Sequence, residues 1–227
     1  MALTYSQLVT QIRNYTEVDS NGLSDNTVSN IVQDTENRIY RELNIDAFRV
    51  YASAVAVTGT STISVPSGLR NIRYVTLLNS TGDSYNLEQK DSSYLAEYNP
   101  TAGTTALWDE PKYWANFNAT TWFVAPTPNT TYTINIAYYA QPTSITSGTS
   151  TTSTTYISTY AQDLLLYGSL VEAFKYLKGP DNMIQQYEQS YQNSIKSFGD
   201  EQMGLRRRDE YVSGELRIPL KSEPPSK

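Results

Sequence analysis

The stretch "TYTINIAYYA", Thr131–Ala140, places Tyr132, Ile134, Ile136 and Tyr138 on one face and Thr131, Thr133, Asn135, Ala137 and Tyr139 on the other. Strand side chains alternate at a period of two, so this pattern predicts a half-buried strand of an antiparallel sheet. Upstream, "TSTISVP", "IRYVTLLN", "KYWANFN" and "TTWFVAP" are short runs rich in β-branched or aromatic residues, separated by Gly, Pro and Asn turns. They read as further strands. A helical piece is expected within "DSSYLAEYN", with Tyr94, Leu95 and Tyr98 as its apolar contacts.

On both sides of this β region the apolar period is helical. Thr4 can cap a first helix with Gln7 completing the box and Leu3 stapling to Leu8, after which Leu8, Ile12 and Tyr15 line one face. "EVDSNGLSDN" interrupts, and Ser24 or Asp25 can open a second helix. There Val28, Ile31, Val32, Thr35, Ile39 and Leu43 share a face, and Asp34, Glu36, Arg38, Arg41 and Glu42 are expected mostly elsewhere. Past the sheet, "SITSGTSTTSTT" has almost no hydrophobic anchors and reads as a flexible or extended surface loop. Thr159 with Gln162 can repeat the capping box, before a stripe of Leu166, Leu170, Phe174 and Leu177 widened by Leu165 and Val171. "KGP" supplies a stop, with Gly179 expected in the left-handed conformation and Pro180 unable to continue the helix. A last helix, roughly Asp181 to Phe198, carries Ile184, Tyr187, Tyr191, Ile195 and Phe198 on one side.

The predicted class is α+β: a bundle of about four helices with an inserted antiparallel β domain and an extended C-terminal arm. The expected divisions are 1–48 for the first helical pair, 49–145 for the β domain and 146–157 for a Thr/Ser linker. The second helical pair takes 158–203 and the arm 204–227.

Composition narrows the function. The 227 residues include no cysteine and no histidine, which removes disulfides, thiolate metal sites, Ser-His-acid and Cys-His hydrolases, and zinc sites of ordinary composition. No G-x-G-x-x-G and no Walker lysine occurs, and Asp109 with Glu110 before Pro111 suits a turn better than a catalytic pair. No enzyme activity and no cofactor or metal is expected. The net charge of −6 argues against nonspecific DNA binding as the main task, since that affinity comes from Lys and Arg displacing counterions. Charge is uneven: residues 204–227 carry +2 and the remainder −8. No secretory h-region opens the sequence and no apolar run is long enough to span a bilayer, so no membrane partner is expected. Nineteen tyrosines against five phenylalanines suit surfaces buried against partners, and equally suit the half-exposed faces of a small sheet.

Two stretches are candidate binding sites. Trp108, Tyr113, Trp114, Phe117, Trp122 and Phe123 crowd the sixteen residues "WDEPKYWANFNATTWF". Such a set forms either a core hairpin or a stacking platform; a glycan-binding module working through Trp108, Trp114 and Trp122 is the alternative function. The second stretch is "GLRRRDEYVSGELRIPL", Gly204–Leu220. Arg206, Arg207 and Arg208 there allow three readings: a DNA contact weakened by Asp209 and Glu210, a solvated helix end, or part of a docking arm. As an arm, Leu205 and the three arginines would meet a neighbour while Tyr211, Leu216, Ile218 and Leu220 enter pockets or add a strand, Leu216, Ile218 and Leu220 sharing a face.

The ordered series of segments resembles the head-to-tail adaptor (connector) proteins of tailed bacteriophages, related in plan to the tail tubular A or gatekeeper proteins of short-tailed phages. The segments that carry it are "YSQLVTQIRNYT", "VSNIVQDTENRIYRELNIDAFR", "IRYVTLLN" with "YNLEQKDSSYLAEY", "TYTINIAYYAQPTSI" and "YAQDLLLYGSLVEAFKYLKGPDNMIQQYEQSYQNSI". Together they span most of residues 3–195. The resemblance implies a helical bundle with a β insertion, assembled as a dodecameric ring beneath the portal of the filled head. It implies portal protein and tail or nozzle proteins as partners, and double-stranded DNA passing through the lumen. It also implies a place in the virion neck, assembly in the host cytoplasm, and a C-terminal arm that by position would be Leu205 to Leu220. The Thr/Ser stretch Ser147 to Thr155 departs from the compact family pattern.

Overall fold

The computed structural model describes residues 2–43, 45–79, 81–99, 103–147 and 152–210. In chain order it contains α1 (Tyr5–Thr16), α2 (Asp25–Glu42), β1 (Arg49–Ala56), β2 (Thr62–Ser64), β3 (Leu69–Leu78), β4 (Ser84–Asn86) and β5 (Glu88–Gln89). Then follow α3 (Ser92–Tyr98), β6 (Tyr113–Asn116), β7 (Thr121–Ala125), β8 (Tyr132–Ala140), α4 (Tyr156–Tyr160), α5 (Gln162–Tyr176) and α6 (Asp181–Glu210). The class is α+β, and the chain divides into two compact units, Met1–Leu43 with Thr143–Lys227, and Asn44–Pro142.

In the helical unit α5 is the centre, packing against α1, α2, α4 and α6. Leu164, Leu165, Gly168, Ser169, Leu170 and Val171 are all buried, so α5 is enclosed on most sides and has no single apolar stripe. The expected stripe is therefore only partly right: Leu170 and Phe174 are buried, while Leu166 and Leu177 are half-buried. Where α2, α5 and α6 meet, Gly168 is required by close approach. A Cβ there would lie 2.5 Å from Thr35 Cγ2 and 3.2 Å from the Tyr191 ring.

Caps fix the ends. At α1 the Gln7 amide donates to Thr4 Oγ1 at 3.3 Å and the Thr4 amide donates to Gln7 Oε1 at 3.0 Å, the predicted reciprocal box. Ser24 caps α2, its hydroxyl accepting from the Thr27 amide. The second box falls elsewhere than expected: Thr155 with Ser158 opens the short α4, while Thr159 lies inside that helix and α5 starts from Ala161 without a side-chain cap. Lys178, not Gly179, takes the left-handed conformation after α5, with φ 55°. Gly179 donates to the Phe174 carbonyl at 2.8 Å and Lys178 to the Lys175 carbonyl at 3.2 Å, the paired bonds of a Schellman ending. Gly179 is needed for space, since a Cβ would sit 2.7 Å from Phe174 Cδ1.

The stretch read as a Thr/Ser loop is tied down at both described ends. Ile145 is buried in a 3-10 turn, Ile145–Ser147, and the Tyr5 amide donates to the Ser153 carbonyl. Glu36 anchors that turn. It was expected to face outward, but its side chain is buried and accepts from the Ile145 amide at 3.1 Å. Burial pushes the Glu36 carboxyl above its ordinary value, and hydrogen bonds from Ser144 and Ile145 partly offset this.

In the second unit two four-stranded sheets share one core. Their orders are β1-β8-β3-β4 and β2-β7-β6-β5, antiparallel except where β5 pairs parallel with β6. Ala56, Val75, Leu77, Ile134 and Ile136 from the first meet Ile63, Trp114, Trp122 and Val124 from the second. The predicted face of β8 is the inner one: Tyr132, Ile134, Ile136 and Tyr138 are all buried. Burying each such side chain stabilises by roughly 1.5–3 kcal/mol.

Candidate functional site

The backbone of Leu205, Arg206, Arg207 and Arg208 lies on the last turns of α6, which continues to Glu210 instead of ending near Phe198. The reason is local: in "EQMGLRRRDE" a single glycine, costing about 1 kcal/mol in a helix, is set among Glu, Gln, Met, Leu and Arg, all strong helix formers. Tyr211, Leu216, Ile218 and Leu220 lie outside the described residues.

The aromatic crowd is divided. Trp114 and Trp122 are 3% and 2% exposed, ring centroids 4.5 Å apart, on β6 and β7 in the centre of the β core. They cannot stack on a sugar without opening that core. Trp108 is half-buried and closes on a turn at Gly59, whose φ is +75° and where a Cβ would lie 2.7 Å from the indole. Of this group Phe117 stands exposed, its ring 4.5 Å from Phe123.

Exposed tyrosines instead gather at two other places in the β unit. On the outer face of the first sheet, Tyr51 of β1, Ala137 of β8 and Tyr74 of β3 are in register, and the Tyr74 hydroxyl donates to the Tyr51 hydroxyl at 3.1 Å above the small Ala137. The next rows are Ser53, Asn135 and Thr76, then Val55, Thr133 and Leu78. This nine-residue patch holds no charge. Beside α3, Tyr94, Tyr98 and Tyr113 pack with centroids 5.2–5.9 Å apart, and the Lys90 ammonium lies 5.7 Å over two of those rings. Rigid tyrosines that are wet at the hydroxyl and apolar at the ring are the residue type enriched at protein interfaces.

Among the described residues of the helical unit, ion pairs concentrate around Arg38. Arg38 on α2 reaches Glu188 on α6 through two N–H donors, one at 3.0 Å, and its Nε donates to Glu42 at 3.1 Å. The guanidinium also lies 4.2 Å above the Tyr191 ring, whose hydroxyl donates to Glu42 at 2.9 Å. Arg38 holds the Glu188 carboxyl down at about 2. Burial, followed by the Glu42 hydrogen bond, raises the Tyr191 phenol. An open groove of about 750 Å³ runs past Arg38, Glu172, Lys175, Ile184, Glu188 and Gln192. Sequence reasoning missed this network; Arg38 and Glu188 are far apart in the chain and neither follows a motif.

None of these groups is arranged as an acid and base flanking a vacant reacting position. Asp109 pairs with Lys112 at 3.8 Å and its amide donates to the Thr127 carbonyl, in a parallel β-bridge to Pro128 where a turn was expected. Among the described residues no three His, Cys, Asp or Glu side chains cluster as metal ligands would, and no helix is long and apolar enough to cross a membrane.

Comparison with known proteins places these observations. The model of the SU10 adaptor protein family matches residues 3–217, nearly the whole sequence, and the chain belongs to that family. No curated protein matches it. Membership agrees with the resemblance to phage head-to-tail adaptors read from the ordered segments, and makes the chain a structural adaptor of bacteriophage.

Proposed function

We propose that this SU10 adaptor family member assembles as a ring of twelve between the portal of the filled head and the tail, extending the channel through which double-stranded DNA passes. The observation that carries the reading is the family match along both units, 3–217, and not along one shared module. Surface chemistry supports it. A ring subunit needs two different lateral faces, and the uncharged Tyr51–Tyr74 patch and the Tyr94–Tyr98–Tyr113 cluster supply aromatic area of that kind. A body of net −8 suits a conduit, since a wall that bound phosphates would retard passage.

In this reading no bond is made or broken, so the protein is not an enzyme; its work is attachment. Leu205, Arg206, Arg207, Arg208, Tyr211, Leu216, Ile218 and Leu220 form the docking arm toward the portal or a neighbouring copy. Repetition around the ring lets individually weak arms seat the assembly firmly. The virion neck is its location, with assembly in the host cytoplasm. Tail or nozzle proteins take the opposite side.

The test is to mix purified chain with purified portal and examine the mixture by sedimentation and electron microscopy. A dodecameric ring on the portal is expected, and its absence at every concentration would sink the reading. Truncation after Gly204 is expected to leave the fold and to weaken portal attachment sharply.

A further inference from the structure

The β unit leaves a strand position vacant beside β3. β4 pairs with β3 only from Thr76 to Leu78, and the Leu87 amide adds one further bond, to the Val75 carbonyl. The chain then crosses to the second sheet, where Glu88 and Gln89 pair with Tyr113 and Trp114. Residues 69–74 of β3 therefore have β8 on one side and, among the described residues, no strand on the other. Such an edge is a row of N–H and C=O groups to which a further strand can add.

A cleft of about 750 Å³ opens against the same residues, within the range of about 300–1,000 Å³ usual for binding sites. Leu69, Arg70, Asn71 and Ile72 line it from β3, and Asn116, Phe117 and Asn118 from the hairpin that joins β6 to β7. Val65, Leu69 and Ile72 pack on the core yet are only half-buried, so the core is unsealed along this margin. Phe117 adds an exposed ring, and the buried Trp122 also borders the cleft.

Charge is placed there by the backbone. The register of β3 against β8 shifts twice, passing over Arg70 between Leu69 and Asn71 and Arg73 between Ile72 and Tyr74. An extra residue of this kind re-aims its side chain. Arg73 lies 5.9 Å over the Tyr139 ring, whereas Arg70 lines the cleft. Among the described residues lining it, Arg70 alone carries a charge, a positive one in a chain of net −6.

We infer that this cleft receives an extended, acidic segment of a partner protein, which adds to residues 69–74 of β3 as a strand. The walls specify that occupant. A vacant strand position offers backbone donors and acceptors at the spacing of another extended chain, which an oligosaccharide lacks. Leu69, Ile72 and Phe117 offer apolar area to alternate side chains of that strand, and the exposed carboxamides of Asn71, Gln89 and Asn116 can both donate and accept at its far side. Arg70 suits a carboxylate and opposes a lysine. The inference needs neither a ring nor a portal, and it involves none of the tyrosines or arm residues that the ring would use.

Selection from a random octapeptide library on the purified full chain tests it, with the best peptide followed by NMR. Enriched peptides are expected to alternate apolar residues and to carry Asp or Glu without Lys or Arg. The best one should shift amides of residues 69–74 and 116–120 and slow exchange in 69–74. Replacing its carboxylate by the amide, or Arg70→Ala in the protein, should each weaken binding about tenfold, and the two together no more than either alone. N-methylating alternate peptide amides should abolish binding in the phase that pairs with β3 and be better tolerated in the other. The proposal is overturned by the absence of any enriched peptide, a basic consensus, shifts confined to other residues, or equal tolerance of the two methylation phases. It also falls if an acidic oligosaccharide outcompetes the peptides. Protection of 69–74 that grows with the concentration of the chain alone would make a second copy the occupant, and overturns it too. Failure to form a ring on the portal bears only on the proposed function.

Discussion

The helical unit and the β unit are held by different means. In the first, specific long-range ties select one arrangement: Arg38 to Glu188, Glu36 to the Ile145 amide, and the close passage of α2 and α6 at Gly168. The second is held by apolar area around Trp114 and Trp122, and leaves uncharged rows of tyrosine, valine and leucine in water. Polar ties and close approaches set register but make poor adhesive surface, while an uncharged sheet face adheres readily and tolerates change. The difference assigns rigid positioning to the helices and contact area to the sheets.

The largest test is Trp122→Ala. Removing a fully buried indole is expected to cost the β unit about 3–5 kcal/mol, read by urea denaturation with near-ultraviolet dichroism. If the helical signal at 222 nm loses its stability in step, the division of labour is broken. Next comes Gly168→Ala, where the added methyl overpacks against Thr35 and Tyr191 at about 1–3 kcal/mol, less the gain of about 1 kcal/mol in helix propensity. Adding Thr35→Ser removes the clashing Cγ2 and keeps a hydroxyl for the Ile31 carbonyl, so the double variant should recover most of the loss in thermal melts.

The third test is pH. Because Glu188 is depressed in the folded state, its stabilisation is complete above the ordinary value of 4.5 and is lost as pH falls toward about 2. Glu188→Gln should lower stability at neutral pH by about 1 kcal/mol and flatten the curve in that acid window. Glu36 has the opposite sign: raised when folded, it weakens the protein as pH rises through its titration, so Glu36→Gln should be at least as stable at pH 7. The smallest effect belongs to the sheet surface. Tyr74→Phe breaks an exposed hydroxyl pair and should change stability by less than about 0.5 kcal/mol in the same urea titration, which sharpens the view of that face as contact area.

Much of this was legible in the residues. The Thr4 box, the Ser24 cap and the alternation of β8 are local signals, and local signals survive in one dimension. Burial of Trp114 and Trp122 followed from their crowding, although a stacking platform was the other reading. The failures have a common physical origin, since each depends on a distant partner. Glu36 looks solvent-facing until Ile145 arrives, and Gly168 looks like a helix weakness until Thr35 and Tyr191 close on it. The α5 stripe misled because a central helix is apolar all round and its period carries little direction. The last helix runs past Gly199 although its apolar stripe fades there, because intrinsic propensity persists to Glu210.

The placement of α5 also dictates a timetable. The β unit is continuous in the chain, but the helical unit is delivered in two instalments, with α1 and α2 made first and their packing partner α5 only after the whole β unit. At about 5–20 residues per second, a ribosome leaves the apolar sides of the first two helices waiting on the order of ten seconds. During that interval Leu8, Ile12, Val28, Ile31 and Ile39 have no finished interior to enter, so the nascent N-terminus is a natural client for holding chaperones until translation passes Tyr176.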